Sequence, residues 1–295
     1  MSTAAVIDGK RNWHVAQQDV SAGMPLPDRS VNLVFGSPPY EAARTYGIGF
    51  NLRGQDWVDW MVGIVRESLR VCGGLVAFVV EGQTRKFRWS ATPALLMADL
   101  HRAGVHLRKP PAFCRVGIPG SGGPDWFRND YEFVVCATNG GKLPWSDNVA
   151  MGKPPKFAPG GPMSYRTATG ERRNAHPTRK NPDGIRGEKR GTAPRYKGVA
   201  LANPGNLIRC VVGGGAMGAK FSHENEAPFP EKLAEAFILS FCPPGGIVLD
   251  PFSGSGTTVA VAVQHGRRGI GFDIRESQVE LSRRRIESTQ IRLPA

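Results

Sequence analysis

The sequence predicts an α/β protein: an open, doubly wound, mostly parallel sheet that carries an irregular basic insertion. Three observations predict it. Short β-prone runs alternate with segments of helical periodicity in both halves of the chain. Turn-forming residues follow directly on two of those runs, at Gly36-Ser37-Pro38-Pro39 and at Asp250-Pro251-Phe252-Ser253-Gly254. Between the two, residues 151–200 show neither period and hold twelve Lys and Arg against three Asp and Glu, which is nine of the thirteen net positive charges.

The elements follow in order. Val31 to Phe35 is β-prone and ends at proline. Trp57, Trp60, Met61, Ile64, Val65 and Leu69 recur at helical spacing, and Cys72-Gly73-Gly74 is expected to close that helix. Leu75 to Val80 is an unbroken apolar run, as in a strand buried on both faces. Ala94 to Ala103 is a helix stopped by Gly104, and Val105 to Leu107, Ala112 to Val116 and Tyr131 to Ala137 are strands. Beyond the basic stretch come an amphipathic helix (Pro230 to Phe241), a strand (Ile247 to Leu249) and a helix (Thr257 to His265) with Gly266 past its end. A strand (Gly269 to Phe272) and a charged helix (Glu276 to Ser288) complete the pattern.

Composition narrows the function. The charge of +13 points to a polyanionic partner, and the chain is long enough to bury a core without disulfides or metals. No apolar stretch reaches 18 residues, which excludes a transmembrane helix, and Met1 to Asp8 lacks the pattern of a secretory signal. Cys72, Cys114, Cys136, Cys210 and Cys242 are scattered with no C-x-x-C pair, which argues against structural zinc and suits a reducing cytosol. The six His show no metal-ligand spacing, so no metal is expected.

Asp250-Pro251-Phe252-Ser253-Gly254-Ser255-Gly256-Thr257-Thr258 joins a strand to a helix. Its glycines permit a tight turn and close approach to a ligand, and the helix start offers N–H groups. Asp273 ends the next strand, where a carboxylate can accept from both hydroxyls of a ribose. A nucleoside-containing cofactor at the carboxyl ends of the strands is therefore expected. No Lys follows the glycines, so the loop is not a Walker A sequence. Val259 holds the place of the third glycine of G-x-G-x-x-G, which disfavours a pyrophosphate.

Ser37-Pro38-Pro39-Tyr40 also follows a strand. Modifying an exocyclic amine requires acceptors for its two hydrogens, because the lone pair is delocalised into the ring. A hydroxyl at Ser37 and the carbonyl of Pro38, aimed by proline's fixed φ, can supply them, and Tyr40 can stack on a base swung out of a duplex. Taken alone, the four residues read equally as a plain proline-rich turn.

The two elements together resemble the signatures of the amino-group DNA methyltransferases. The resemblance implies a Rossmann-like methyltransferase fold, S-adenosylmethionine as cofactor with S-adenosylhomocysteine as product, and direct methyl transfer to an amine. Catalytic roles fall to Ser37, Pro38, Pro39 and Tyr40, and cofactor contacts to Asp250, Pro251, Phe252, Ser253, Gly254, Ser255, Gly256, Thr257 and Asp273. In this family Ser at the first position is typical of methylation of the cytosine 4-amino group and Asp of the adenine 6-amino group. Ser37 thus favours cytosine, with adenine as the alternative. The order of the motifs is similar to the family's permuted β-type, with the catalytic element first and the cofactor loop last. Asp19 matches a carboxylate near the cofactor's adenosine. His223, with the Pro228-Phe229-Pro230 run after it, matches a segment lining its methionine end.

The resemblance covers residues 1–142 and 222–295 as two halves of one sheet, and leaves 143–221 as the target-recognition segment. Arg172, Arg173, Arg179, Lys180, Arg186, Lys189 and Arg190 are its candidate DNA contacts. Double-stranded DNA is the expected partner, with a homodimer and a cognate restriction endonuclease as further candidates, in a prokaryotic or phage-type cytoplasm at the nucleoid. Rival readings explain less. A cytosine-carbon methyltransferase needs a thiolate, usually after proline, and no Pro-Cys pair occurs. A DNA-binding module without chemistry leaves both motifs idle, and a nicotinamide oxidoreductase leaves Ser37 to Tyr40 unexplained. An RNA or protein amine methyltransferase is a closer rival. Glu81, after the run Leu75 to Val80, is either a supporting carboxylate of the site or a plain strand end.

Overall fold

A computed structural model of the chain describes residues 2–41, 49–117, 124–155, 163–166, 168–175, 200–212 and 229–289. They form two units, one of Met1–Asp147 with Gly205–Ala295, the other of Asn148–Pro204. The first unit begins with α1 (Thr3–Ile7), β1 (Trp13–Gln17), a 3₁₀ turn (Val20–Ala22), β2 (Val31–Gly36), α2 (Gly54–Val71) and β3 (Cys72–Val80). A small hairpin, β4 (Thr84–Arg85) and β5 (Arg88–Trp89), leads to α3 (Thr92–Arg102), β6 (His106–Arg108), β7 (Ala112–Val116) and β8 (Tyr131–Thr138). The second unit contains an antiparallel pair, β9 (Met163–Arg166) and β10 (Arg172–Ala175). The first unit resumes with β11 (Leu207–Val211), α4 (Glu231–Phe241), β12 (Ile247–Asp250), α5 (Thr257–Gln264), β13 (Arg268–Asp273) and α6 (Glu276–Glu287).

The main sheet runs β1-β13-β12-β2-β3-β8-β7-β11, with β6 also on β8. The five strands from β1 to β3 are mutually parallel, β8 runs against β3, β6 and β7, and β11 is parallel to β7. Apolar side chains on both faces explain the unbroken hydrophobic runs. Val34, Val76, Phe78 and Leu249 face α2 and α3 through Trp57, Met61, Leu96 and Leu100. Their alternates Leu33, Phe35, Leu75 and Ala77 face α4 through Leu233, Phe237 and Ile238. Phe35 stacks on Phe237 at 4.6 Å between ring centres. Burying each such side chain contributes about 1.5–3 kcal/mol. Among the described residues no helix is long and apolar enough to cross a membrane.

The doubly wound, mostly parallel α/β sheet is as expected. Three details differ. The α2 helix passes straight into β3 at Cys72, so Gly73 and Gly74 are strand residues, not a helix stop. A Cβ on Gly74 would lie 2.0 Å from the Asn32 carbonyl oxygen, so close strand approach requires the glycine there. Trp13–Gln17, without strict alternation, forms a strand that sequence pattern does not reveal. The basic segment expected over 143–221 brackets the second unit but overruns it. Leu207–Val211 pairs with β7 in the main sheet, and Asp147 donates its backbone N–H to Ser240 O at 2.9 Å.

Candidate active site

β12 and β2 are parallel neighbours, with Leu249 opposite Val34, so the turns that follow them begin side by side. Gly36 makes the approach close. A Cβ there would lie 2.3 Å from Asp250 Oδ1, so any side chain at 36 would drive the two loops apart. The two sequence motifs therefore meet at the carboxyl edge of the sheet, where ligands bind in open α/β folds.

In the glycine loop, Ser253 N donates to Phe272 O and Gly256 N to Ser253 O, both at 2.7 Å. Gly254 and Gly256 take φ of +48° and +79°, the left-handed region. Gly254 N donates to Asp273 Oδ2 at 3.0 Å and Arg275 N to Asp273 Oδ1 at 2.9 Å. Oδ1 also faces the Arg275 guanidinium, whose Nε lies 3.6 Å away, whereas Oδ2 keeps a lone pair that suits a ribose hydroxyl. Burial raises the Asp273 pKa against the opposing pull of these N–H groups and the Arg275 guanidinium. Asp250 is fully buried, and its Oδ1 accepts from Phe252 N at 3.0 Å. Burial pushes its pKa up to about 7, Asp273 adding to the effect and the Thr258 hydroxyl and Phe252 N–H resisting it.

Most of the loop's side chains are engaged within the protein itself. Arg285, 1% exposed on α6, donates to Ser255 Oγ at 3.1 Å, to Thr257 Oγ1 at 2.8 Å and to Glu231 Oε1 at 2.8 Å. The Phe252 ring packs on Trp60 and Phe78 at 5.7 and 6.0 Å. Pro251 and Ser253 are buried, and a Cβ on Gly256 would meet Ser282 Oγ at 2.2 Å. The space on the Cβ side of Gly256 is thus filled by α6. Loop backbone and the Asp273 carboxylate remain as the groups that fit a nucleoside. Asp19 is exposed and accepts from Ser21 N at 2.9 Å. It lies just past Gln17, which stands opposite Asp273, and the intervening Gln18 N donates to Asp273 O at 2.9 Å.

Beside this loop, Ser37 Oγ lies 3.3 Å from both Tyr40 Oη and the Val79 carbonyl oxygen. Tyr40 Oη donates to Glu132 Oε2 at 2.7 Å, and Glu132 Oε1 pairs with Arg115 at 3.2 Å. Because the tyrosine donates to a carboxylate, its oxygen accepts from Ser37, whose own lone pairs are then left for a donor such as an amine. The Pro39 carbonyl accepts from Trp57 Nε1 at 2.9 Å, which pins the turn to α2. Pro38 is buried, and its carbonyl takes no hydrogen bond from any described residue.

Glu81 is buried near Glu132. Its Oε1 accepts from Gly82 N at 2.9 Å and Trp89 Nε1 at 3.1 Å, and burial raises its pKa. Sequence reasoning missed Glu132, Glu41 and Arg285. Glu132 sits in an otherwise apolar strand, a signal that could have marked it. Glu41, 4% exposed, gathers Gly54 N, Gln83 N and Thr92 Oγ1. His223, Arg179, Lys180, Arg186, Lys189 and Arg190 lie outside the described residues. Arg172 and Arg173 stand on β10 opposite Arg166 and Tyr165. Burial pushes the thiols of Cys72, Cys136 and Cys242 up to about 12 and Cys210 to about 11, so these four are not poised as thiolate nucleophiles.

A family model described as DNA methylase, covering N6 and N4 methyltransferases, matches residues 31–284. The chain belongs to this DNA methylase family. Methylases of the family draw their methyl group from S-adenosylmethionine. The orphan methyltransferase M.BamHII of Bacillus amyloliquefaciens is 26% identical, over 89% of this chain and 91% of its own length. DNA adenine methyltransferase YhdJ of Escherichia coli K12 is 25% identical, over 89% and 78%. In fold, the methylase resembles PvuII DNA methyltransferase (cytosine-N4-specific) with a TM-score of 0.64 at 18% identity, over 95% of this chain and 88% of that one. It also resembles TTHA0409 of Thermus thermophilus, solved in complex with S-adenosyl-L-methionine, at 0.53 and 18% identity, over 97% and 100%.

Proposed function

We propose that this methylase is a site-specific enzyme that transfers a methyl group from S-adenosylmethionine to the 4-amino group of cytosine in double-stranded DNA. One observation carries the reading: the Ser37 hydroxyl, its lone pairs freed by the Ser37–Tyr40–Glu132 chain, stands at the strand end next to the glycine loop. When bound, S-adenosylmethionine supplies an electrophilic methyl group. Asp273 and the backbone at Gly254 and Gly256 would hold its nucleoside portion. Ser37 Oγ and the Pro38 carbonyl accept the two amine hydrogens, which draws the nitrogen lone pair out of conjugation. Tyr40, fixed through its hydroxyl, offers its ring to the base. Attack is direct, so no covalent enzyme intermediate is required. The surplus amine proton has a path from Ser37 Oγ through Tyr40 Oη to Glu132.

A cytosine assignment rests on Ser37 in the first position. Adenine is the second reading, favoured by the likeness to YhdJ. Target recognition is assigned to the basic segment 143–221, with the arginines and lysines named above as contacts. A homodimer, a cognate endonuclease and work at the nucleoid in the cytoplasm complete the proposal. The test is to incubate the protein with labelled cofactor and genomic DNA, digest to nucleosides and identify the labelled one. Label in 4-methylcytosine is expected. Label in 6-methyladenine would overturn the base assignment, and an unlabelled DNA fraction the whole reading.

A further inference from the structure

The hairpin after β3 touches the site only at its base, through Gln83 and Trp89, and its tip has no role in the chemistry. β4 and β5 pair Thr84 with Trp89 and Arg85 with Arg88, leaving Lys86 and Phe87 as a two-residue turn. Both have positive φ, +48° and +64°. This mirror-image turn matches the twist of a hairpin, but Asn and Gly normally supply it, and strain of this kind concentrates where a ligand is gripped. Phe87 is 71% exposed at the tip. Trp126 meets its ring edge-on at 5.7 Å, and the next residue, Phe127, is 97% exposed. Arg85, Lys86 and Arg88, all exposed, flank Phe87 along the hairpin with positive charge.

The base of the hairpin is tied to the catalytic element. Gln83 N donates to Glu41 Oε1 at 3.4 Å, and Glu41 directly follows Tyr40. Trp89 Nε1 donates to Glu81, and the Trp89 ring stacks on Phe133 at 6.3 Å, next to the Glu132 that holds Tyr40. The hairpin is thereby anchored at its base to the residues around Tyr40.

We propose that Phe87, backed by Trp126, is a wedge that enters the base stack of duplex DNA and holds open the space left when the target base turns out toward Ser37. An apolar ring pushed between base steps unstacks them, and the flanking cations match the phosphates on either side of the gap. The inference rests on the reading of Ser37 as the amine-binding group of a DNA methylase. It adds a residue that acts on the duplex and not on the reacting atoms.

The test measures single-turnover methylation by the full chain and its Phe87→Ala and Phe87→Leu variants. The probe is a duplex carrying the methylated site mapped in wild-type-treated genomic DNA, in matched form and with the target base mismatched. Wild-type turnover on the matched duplex is the control that keeps a failure of the functional reading distinct from a failure of the wedge. A mismatched base is already partly unstacked, so it needs the wedge least. Phe87→Ala should be slower by about tenfold or more on the matched duplex and within about twofold of wild type on the mismatched one. Affinity for S-adenosylmethionine should not change, and Phe87→Leu, which keeps an apolar wedge, should retain most of the rate. An equal loss on both duplexes, or no loss on the matched one, would overturn the proposal.

Discussion

Glu132 and Asp250 show how single carboxylates act in this site. Glu132, 92 positions from Tyr40, accepts the Tyr40 hydroxyl hydrogen, so Tyr40 does not donate to Ser37. The Ser37 hydroxyl donates to Tyr40 Oη or the Val79 carbonyl and keeps its lone pairs for an amine. Glu132→Gln keeps the shape but lets the amide donate instead of accept, which reverses the chain of donors. Its kcat should fall by roughly tenfold or more while calorimetric affinity for S-adenosylmethionine stays at the wild-type value. A matching loss of affinity would mean that Glu132 only supports the fold. Asp250 carries a pH signature. Its folded pKa of about 7 lies above the ordinary carboxylate value, so the folded state holds the proton that the unfolded state releases. Its contribution to stability is fully present below about pH 4, falls as pH rises toward 7 and is flat beyond. Asp250→Asn should abolish that fall, of order a few kcal/mol. Urea unfolding of both proteins at about pH 5 and about pH 8 checks it, and parallel pH dependences would refute the burial argument. The turns that carry Ser37, Pro38 and Gly254, and the strand end that carries Asp273, were legible from sequence because turn geometry and strand ends leave local marks. Glu132 and Arg285 were not, because their partners lie 28 to 92 residues away and only the folded sheet brings them together.

At the scale of elements, the glycine loop is clamped from below. Arg285 ties Ser255 and Thr257 of the loop to α6 and to Glu231 at the start of α4. Removing Arg285 leaves Glu231 unpaired but partly solvated, so the loss stays below the about 3–5 kcal/mol of a fully buried pair. Arg285→Met should therefore lower the unfolding midpoint markedly and weaken S-adenosylmethionine binding, with Arg285→Lys intermediate. Calorimetry and denaturant titration read both effects; normal cofactor affinity in Arg285→Met would show that the loop holds its shape unaided. Strand and helix pattern announced α2, β3, β7, β8 and the whole run from α4 to α6. β1 escaped because W-H-V-A-Q has no clean alternation, although its partner β13 gives it a place. The β9–β10 pair lies in a stretch whose composition reads only as basic and turn-rich.

For the whole molecule, net charge and topology divide the work. If the basic residues of the insertion meet phosphates, Arg172→Ala with Arg173→Ala should reduce the log–log salt slope of DNA binding by about two. If one of them reads guanine, specificity at one base position should relax by about 1–3 kcal/mol instead. Unchanged slope and preference would remove this pair from the recognition surface. Composition foretold the charge, but which cation meets which phosphate depends on a fold that pattern does not encode. The central claim is that adjacent strand ends hold two separable halves of one site, donor-binding at Asp273 and amine-binding at Ser37. Calorimetric titration with S-adenosylmethionine, paired with single-turnover methylation of genomic DNA, tests it on Ser37→Ala and Asp273→Ala. Ser37→Ala should bind the cofactor as wild type does and transfer little or no methyl, whereas Asp273→Ala should lose binding. Methylation by Ser37→Ala at the wild-type rate would contradict the account.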